Sequence, residues 1–290
     1  MKQVLNTTRR VTDSDETQRL VLMETMKVLQ RADFTRAAAE ISYHALVRVY
    51  NMLGCLDPYR EAKRYYNDLI LSSIDDLRRM IDASDDPLHA AVGMAVAGNI
   101  IDMGILGDTF DVRATVEDVM RTGLAIDHYA AFRRRLGEAH SVLYILDNAG
   151  EAVFDRLLVE RLVADGKDVC CVVRKSPILN DMTRTEAEEI GLDAICRLTD
   201  TGCDVFGVPM DLVSDEFRAL FCSADLVISK GQANFETLDD TDRQVFFILM
   251  AKCDRVAANL GVGLRQAVVM DSLMLPHVRG AATRVAPRDA

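Results

Sequence analysis

Apolar positions along the chain change their spacing near residue 140. Before it the spacing is helical. Leu20, Met23, Met26, Val28 and Leu29 recur at mostly helical intervals, and Asp13 with Glu16 fits a capping box ahead of them. Residues 34–53 place Ala38, Ile41, Ala45, Val49 and Leu53 on one face, and Gly54 stops the run. Asp57-Pro58 opens a third helix carrying Tyr59, Ala62, Tyr66, Leu69 and Ile70. Pro87 opens a fourth, rich in small residues (Ala90, Ala91, Gly93, Ala95, Ala97). Small side chains allow close backbone approach, so this helix is expected at the centre of its bundle. Strand signals are nearly absent over residues 13–138.

After His140 short apolar runs alternate with helical segments. Residues 142–146 predict a strand and 151–164 a helix with Val153, Leu157, Leu158 and Leu162 on one face, ended by Gly166. A β-branched run at 169–173 predicts a second strand, followed by a helix reaching about Ile190. Residues 226–229 predict another strand, 245–251 a helix, and 255–260 and 267–270 the last two strands. Strand, turn, helix, strand implies βαβ units and a parallel sheet. The expected class is α/β: a Rossmann-like, mostly parallel sheet flanked by helices over 139–290, behind an all-helical region at 1–138. Ligands of such sheets bind beyond the carboxyl ends of the strands. Three polar clusters fall there: 147–151, 180–181 and 229–236.

Composition narrows the class of partner. The 290 residues include 45 acidic against 34 basic, a net charge of −11, so a nucleic-acid backbone is not expected as the main partner. Hydrophobic residues make up 49%, which excludes a disordered chain. The seven cysteines include no CxxC pair, and Cys170 and Cys171 sit inside an apolar run, as buried thiols of a reducing cytoplasm would. The first twenty residues lack a signal-peptide core. The apolar stretch at 89–106 is interrupted by Gly93, Gly98, Asn99 and Asp102, short of the roughly 20 apolar residues of a membrane span. No membrane partner is expected, and the oligomeric state is not encoded legibly. The tail after Pro276 is polar and small.

The clusters suit phosphoryl chemistry. Asp147 and Asn148 offer a carboxylate and an amide oxygen at a strand end, hard donors for a divalent cation such as Mn²⁺, Mg²⁺, Co²⁺ or Ni²⁺. Gly150 permits a tight turn into the following helix, whose N–H groups can face an anion. Asn180-Asp181 stands at the equivalent end of the next strand, so Asp181 can complete the donor set. Each pair also fits a simple helix cap. Lys230, between Ser229 and Gly231, can meet a phosphate as a point charge, with Asn234 donating to a substrate oxygen and Glu236 holding Lys230 or acting as a base. His44, His89 and His277 lie away from the clusters. Asp-x-Asp phosphatases, G-x-G-x-x-G folds and Walker loops each fail on particular residues: Ala149 follows Asn148, one glycine (Gly150) follows the first strand, and no GKS or GKT occurs.

At these residues the chain resembles the DUF89 family, the damage-control phosphatases with an ARMT1-like domain. The matching stretches are LDNAGEAVFDRLL (146–158), VVRKSPILNDMT (172–183) and ISKGQANFETL (228–238), with weaker likeness at GCLDPYREAKRYYN (54–67) and AGNIIDMG (97–104). The compact prokaryotic branch is the most similar, although the cysteine pair that its members often carry near the N-terminus is missing here. The resemblance implies a metal-dependent phosphatase of small phosphorylated metabolites such as sugar phosphates. It implies one divalent ion on Asp147, Asn148 and Asp181, Lys230 on phosphate, and Glu151, Asn180 and Asn234 lining the site. Asn99 and Asp102 match a motif in the helical half. A carboxyl methyltransferase dependent on S-adenosylmethionine is the alternative activity ascribed to the family. A non-catalytic phosphometabolite-binding protein is the third reading.

Overall fold

A computed structural model describes residues 1–34, 38–100 and 111–274. Asp102, His277 and the tail after Pro276 lie outside them. The first seven helices are α1 (Lys2–Val11), α2 (Asp15–Gln30), α3 (Ala38–Leu53), α4 (Arg60–Leu71), α5 (Ile74–Asp82), α6 (Pro87–Ile100) and α7 (Val112–Thr122). Then come β1 (Ile126–Asp127), α8 (Tyr129–Glu138), β2 (Ser141–Ile145), α9 (Glu151–Ala164), β3 (Asp168–Val173), α10 (Arg184–Glu189) and β4 (Arg197–Asp200). The chain continues through α11 (Asp215–Ser223), β5 (Leu226–Lys230), α12 (Gln232–Leu238), β6 (Phe246–Met250), α13 (Asp254–Leu260) and β7 (Ala267–Asp271).

The seven strands form one sheet in the order β1-β7-β6-β5-β2-β3-β4. Every pairing is parallel except β6 with β7. Alternation along β2 sends Val142 and Tyr144 into a core layer with α6, α8 and α9, and Leu143 and Ile145 into the layer under α11, α12 and α13. From β2 the chain moves outward to β3 and β4, then returns on the other side of β2 as β5. Adjacent strands β2 and β5 are thus the topological switch point, where a parallel sheet opens a crevice at its carboxyl end.

The small-residue helix is central, as expected. Ala91, Ala95 and Ala97 are buried, and α6 packs closely on α9. At Gly98 an added Cβ would lie 3.0 Å from the Glu151 carbonyl oxygen and 3.1 Å from the Phe154 Cβ. That backbone approach sets the first turn of α9 against α6.

Four expectations are corrected. Residues 245–251 are not helical: they hold β6, buried on both faces, and a continuous apolar run has no period that separates strand from helix. Residues 255–260 are α13 rather than a strand, closed by Gly261 in the left-handed conformation. The N-cap of α2 is Ser14, whose side chain accepts from the Thr17 N–H, so Asp13 and Glu16 do not form the box. The helical region also contributes a strand, β1, which pairs with β7 through Ile126↔Val268. Helix α1, strand β4 and helices α11 and α12 carried no clear signal. Among the described residues no helix is long and apolar enough to cross a membrane.

Gly98→Val should lower stability by about 1–3 kcal/mol through overpacking against α9. Gly93→Ala faces only the flexible Met120 side chain, 3.5 Å away, and should be neutral or stabilising. Urea unfolding followed by circular dichroism checks both.

Candidate active site

Two strand-end loops are stitched together by backbone hydrogen bonds. The Met182 N–H donates to the Asp147 carbonyl (2.8 Å), the Ala149 N–H to the Asn180 carbonyl (2.9 Å), and the Arg174 N–H to the Met182 carbonyl (2.8 Å). Asn148 and Asp181 form an antiparallel bridge. The two polar pairs read from the sequence therefore sit side by side, one following β2 and the other after β3. Asp147 and Asp181 are 7% and 5% exposed, so both carboxylates are largely out of water.

Each loop is held from several sides. The Arg174 guanidinium donates to Asp181 Oδ2 (2.7 Å), to Asn234 Oδ1 (2.6 Å) and to the Gly207 carbonyl. Asn234 in turn donates to the Leu146 and Lys230 carbonyls, at 3.1 and 2.7 Å, which locks α12 to the ends of β2 and β5. Asn148 donates to Asp147 Oδ2 (2.8 Å) and Glu151 Oε2 (3.3 Å). The Gly150 N–H is taken by Asn67 Oδ1 of α4 (2.6 Å), and the Gly231 N–H by the Ile248 carbonyl (3.1 Å). Gly231 serves the site by its lack of a side chain: a Cβ there would fall 1.9 Å from Asp147 Oδ2, and its φ is +78°.

Lys230 is fully buried. Its ammonium donates to the Ala95 carbonyl of α6 (2.9 Å), Glu151 Oε1 (2.7 Å) and Asp155 Oδ1 (2.6 Å). An ammonium has three donors, and all three are engaged. Tyr144 donates to the same Asp155 oxygen (2.7 Å), and Asn99 donates to Glu151 Oε1 (2.9 Å) while accepting from the Met250 N–H (2.6 Å). Glu236 accepts from Gln232 (2.8 Å) rather than holding Lys230. Ser229 lies opposite Ile145 and Phe247, fully buried, with no hydrogen-bond partner on its hydroxyl. Asn180 contributes its carbonyl to the loop ladder, its residue half-buried.

The charges do not balance. Among the described residues, Asp147, Glu151, Asp155 and Asp181 are buried here, and the buried cations that bond to them are Arg174 and Lys230, while Lys63 acts on Asp181 from its own pair with Asp57 and Glu186. Burial, then repulsion from Glu151 and Asp181, pushes the Asp147 carboxyl well above its ordinary range, against the pull of Lys252 and Arg174. Burial raises Asp181 as well, opposed by Arg174 and Lys63. Asp155 is pushed up to about 6 by burial, with Lys230 opposing. Burial disfavours the charge on Lys230, yet Asp155 and Glu151 hold its pKa above the ordinary lysine value.

An added divalent cation would fit this excess. Asp147, Asn148 and Asp181 supply two carboxylates and an amide, hard oxygen donors already gathered by the loop ladder. Among the described residues no group of three or more His, Cys, Asp or Glu side chains is placed to hold a metal. The candidate set draws its third donor from an amide.

Four groups were missed by the sequence reading. Arg174 lies inside the 172–183 stretch, seven residues before Asp181. Asp155 follows Glu151 by one helical turn, the spacing that puts both on one face. Asn67 ends the 54–67 stretch. Lys252 was hidden because β6 was read as a helix, which removed its carboxyl end from the list of strand ends. It is exposed, and its N–H donates to Gln232 Oε1 (3.0 Å), next to the Gly231 that touches Asp147.

Comparison with known proteins gives the family and the fold. The model of the damage-control phosphatase ARMT1-like domain matches residues 1–268. An uncharacterized protein of Methanocaldococcus jannaschii is 33% identical over 280 residues, covering 93% of this chain and 92% of that protein. A damage-control phosphatase of Pyrococcus horikoshii is 33% identical over 265 residues, covering 86% and 91%. One of Archaeoglobus fulgidus is 32% identical over 266 residues, covering 89% and 91%. The crystal structure of a DUF89 protein from Pyrococcus horikoshii superposes with a TM-score of 0.85 at 30% identity, covering 93% of this chain and 95% of that one.

The two lysines at the strand ends should differ in what they do for stability. Lys230→Met strands two buried carboxylates and should cost about 3–5 kcal/mol. Lys252→Met, at an exposed position, should change stability by less than about 0.5 kcal/mol. Urea unfolding of the two variants checks the contrast.

Proposed function

The chain belongs to the damage-control phosphatases with an ARMT1-like domain, and from that membership we propose that it hydrolyses phosphomonoesters of small metabolites with one divalent metal ion. The observation that carries the metal is the surplus of buried carboxylate at the switch point of the sheet. Asp147, Asn148 and Asp181 would hold the ion. Mg²⁺, Mn²⁺, Co²⁺ and Ni²⁺ all suit such donors, which discriminate poorly among them. When bound, the ion supplies a water of lowered pKa and neutralises charge on the phosphoryl oxygens.

The protein's own groups do the positioning. Arg174 fixes the orientation of Asp181 through a charge-assisted bond at 2.7 Å. Asn148, tied to both Asp147 and Glu151, holds the first turn of α9 at the crevice. Lys230 anchors Glu151 from below. The phosphate-contacting cation in this reading is Lys252, which is exposed and acts electrostatically on Asp147. Tyr66 of α4 lies against the Gly150 turn, where an added Cβ would sit 3.1 Å from the Tyr66 Cβ.

Chelator-treated protein should release phosphate from p-nitrophenyl phosphate and from sugar phosphates only when a divalent ion is restored. No metal-stimulated release across that panel would refute the reading. Asp147→Asn should lower kcat by about a hundred-fold or more while the protein stays folded. Lys252→Ala should raise KM and lower kcat/KM by about ten-fold or more, the worth of one charge-assisted hydrogen bond.

A further inference from the structure

The N-terminal helices meet the site through a small apolar cluster of their own. Val4 of α1, Val21 of α2 and Leu46, Val49 and Tyr50 of α3 pack with Tyr59 and with Ile178, Leu179 and Phe206 from the strand-end loops. Leu179 immediately precedes Asn180-Asp181. Its φ is +46°, a left-handed conformation rare for a bulky residue. The loop therefore holds a leucine where glycine or asparagine would be relaxed, and something outside the loop must keep it there.

Two contacts do so, and both reach α3. The Leu179 side chain is buried in the apolar cluster. Its N–H donates to the Tyr50 hydroxyl at 2.9 Å, across 129 residues of sequence. The next residues carry the ladder that sets Asp181 beside Asp147: the Asn180 carbonyl accepts from Ala149, and the Asp181 N–H turns back to the Ile178 carbonyl at 3.1 Å. A change of φ at Leu179 redirects this segment.

We propose that Tyr50 is a positioning residue for Asp181: by accepting the Leu179 N–H it keeps that residue left-handed and so holds the carboxylate in register with Asp147. The inference rests on the reading of Asp181 as a metal-binding group. Tyr50 works as a neutral hydroxyl, since burial pushes its pKa well above the ordinary tyrosine value.

The test measures Mn²⁺ binding by calorimetry on the full-length, chelator-treated protein. Tyr50→Phe keeps the ring and removes the acceptor, and should weaken Mn²⁺ binding about ten-fold, the scale of the left-handed strain that the freed Leu179 would relax. Leu179→Gly added to Tyr50→Phe should restore binding to within about three-fold of wild type, because glycine occupies the left-handed region without cost. Val49→Ala loosens the same cluster without touching the hydrogen bond, and should lower thermal stability while leaving the Mn²⁺ affinity in place. Unchanged affinity in Tyr50→Phe overturns the proposal, as does an equal loss in Val49→Ala. Failure of the wild-type protein to bind Mn²⁺ removes the metal reading itself, a result that the variant series cannot mimic.

Discussion

Excess buried negative charge at the carboxyl ends of β2 and β3 is the constraint on which the rest of the site depends. Placing Asp147, Glu151, Asp155 and Asp181 out of water is costly unless each is paired or hydrogen-bonded. Much of the surrounding structure answers that cost. Arg174 neutralises Asp181, and Lys230 is shared between Glu151 and Asp155. Asn148 donates to Asp147 Oδ2 and Glu151 Oε2, and Asn99 and Tyr144 add neutral donors to the Glu151 and Asp155 oxygens that Lys230 holds. The cost is greatest at Asp147, where burial, then repulsion from Glu151 and Asp181, disfavours the charged carboxylate and raises its pKa well above the ordinary range. A cation site in an acidic protein needs such a deficit, because a neutralised cradle would have no electrostatic preference for a metal.

The architecture explains where this deficit can be tolerated. At the switch point the helices after β2 and after β4 leave on opposite faces of the sheet, and the crevice between β2 and β5 is not filled by a crossover. The helical half then closes the crevice. Helix α6 approaches α9 closely at Gly98 and presents the Ala95 carbonyl to Lys230. Helix α4 gives Asn67 to the Gly150 turn, and its fully buried Lys63 pairs with both Asp57 and Glu186, tying α4 to the start of α10. Helix α3 reaches the second loop through Tyr50. The helical region thus supplies polar contacts inside the site as well as a cover over it.

The contrast between the two strand-end lysines shows how context assigns roles to like residues. Lys230 ends β5, and Lys252 follows the adjacent parallel strand β6. The first turns into the layer under α6 and α9, where three acceptors saturate it. The second is exposed and acts electrostatically on Asp147. A buried ammonium whose three donors are engaged stabilises and orients its acceptors.

Local patterns in the sequence were enough for the α/β class, the central small-residue helix, and strands β2, β3, β5 and β7, because period, turn residues and β-branched runs report directly on the backbone. They also located the polar pairs 147–148 and 180–181, since both follow apolar runs at equivalent strand ends. They misassigned β6 and α13, because a short segment buried all round has lost the alternation that distinguishes strand from helix, and that error hid Lys252. Other features depend on residues far apart in sequence. Ala95, Asn99, Glu151, Asp155 and Lys230 form one network only because α6 crosses α9 over the sheet. Tyr50 and Leu179 are 129 residues apart and meet only when α3 docks. Lys230 looked like a phosphate ligand from its position between Ser229 and Gly231. The tertiary structure alone decided which face of β5 it leaves from, and hence that its charge is spent on two buried carboxylates.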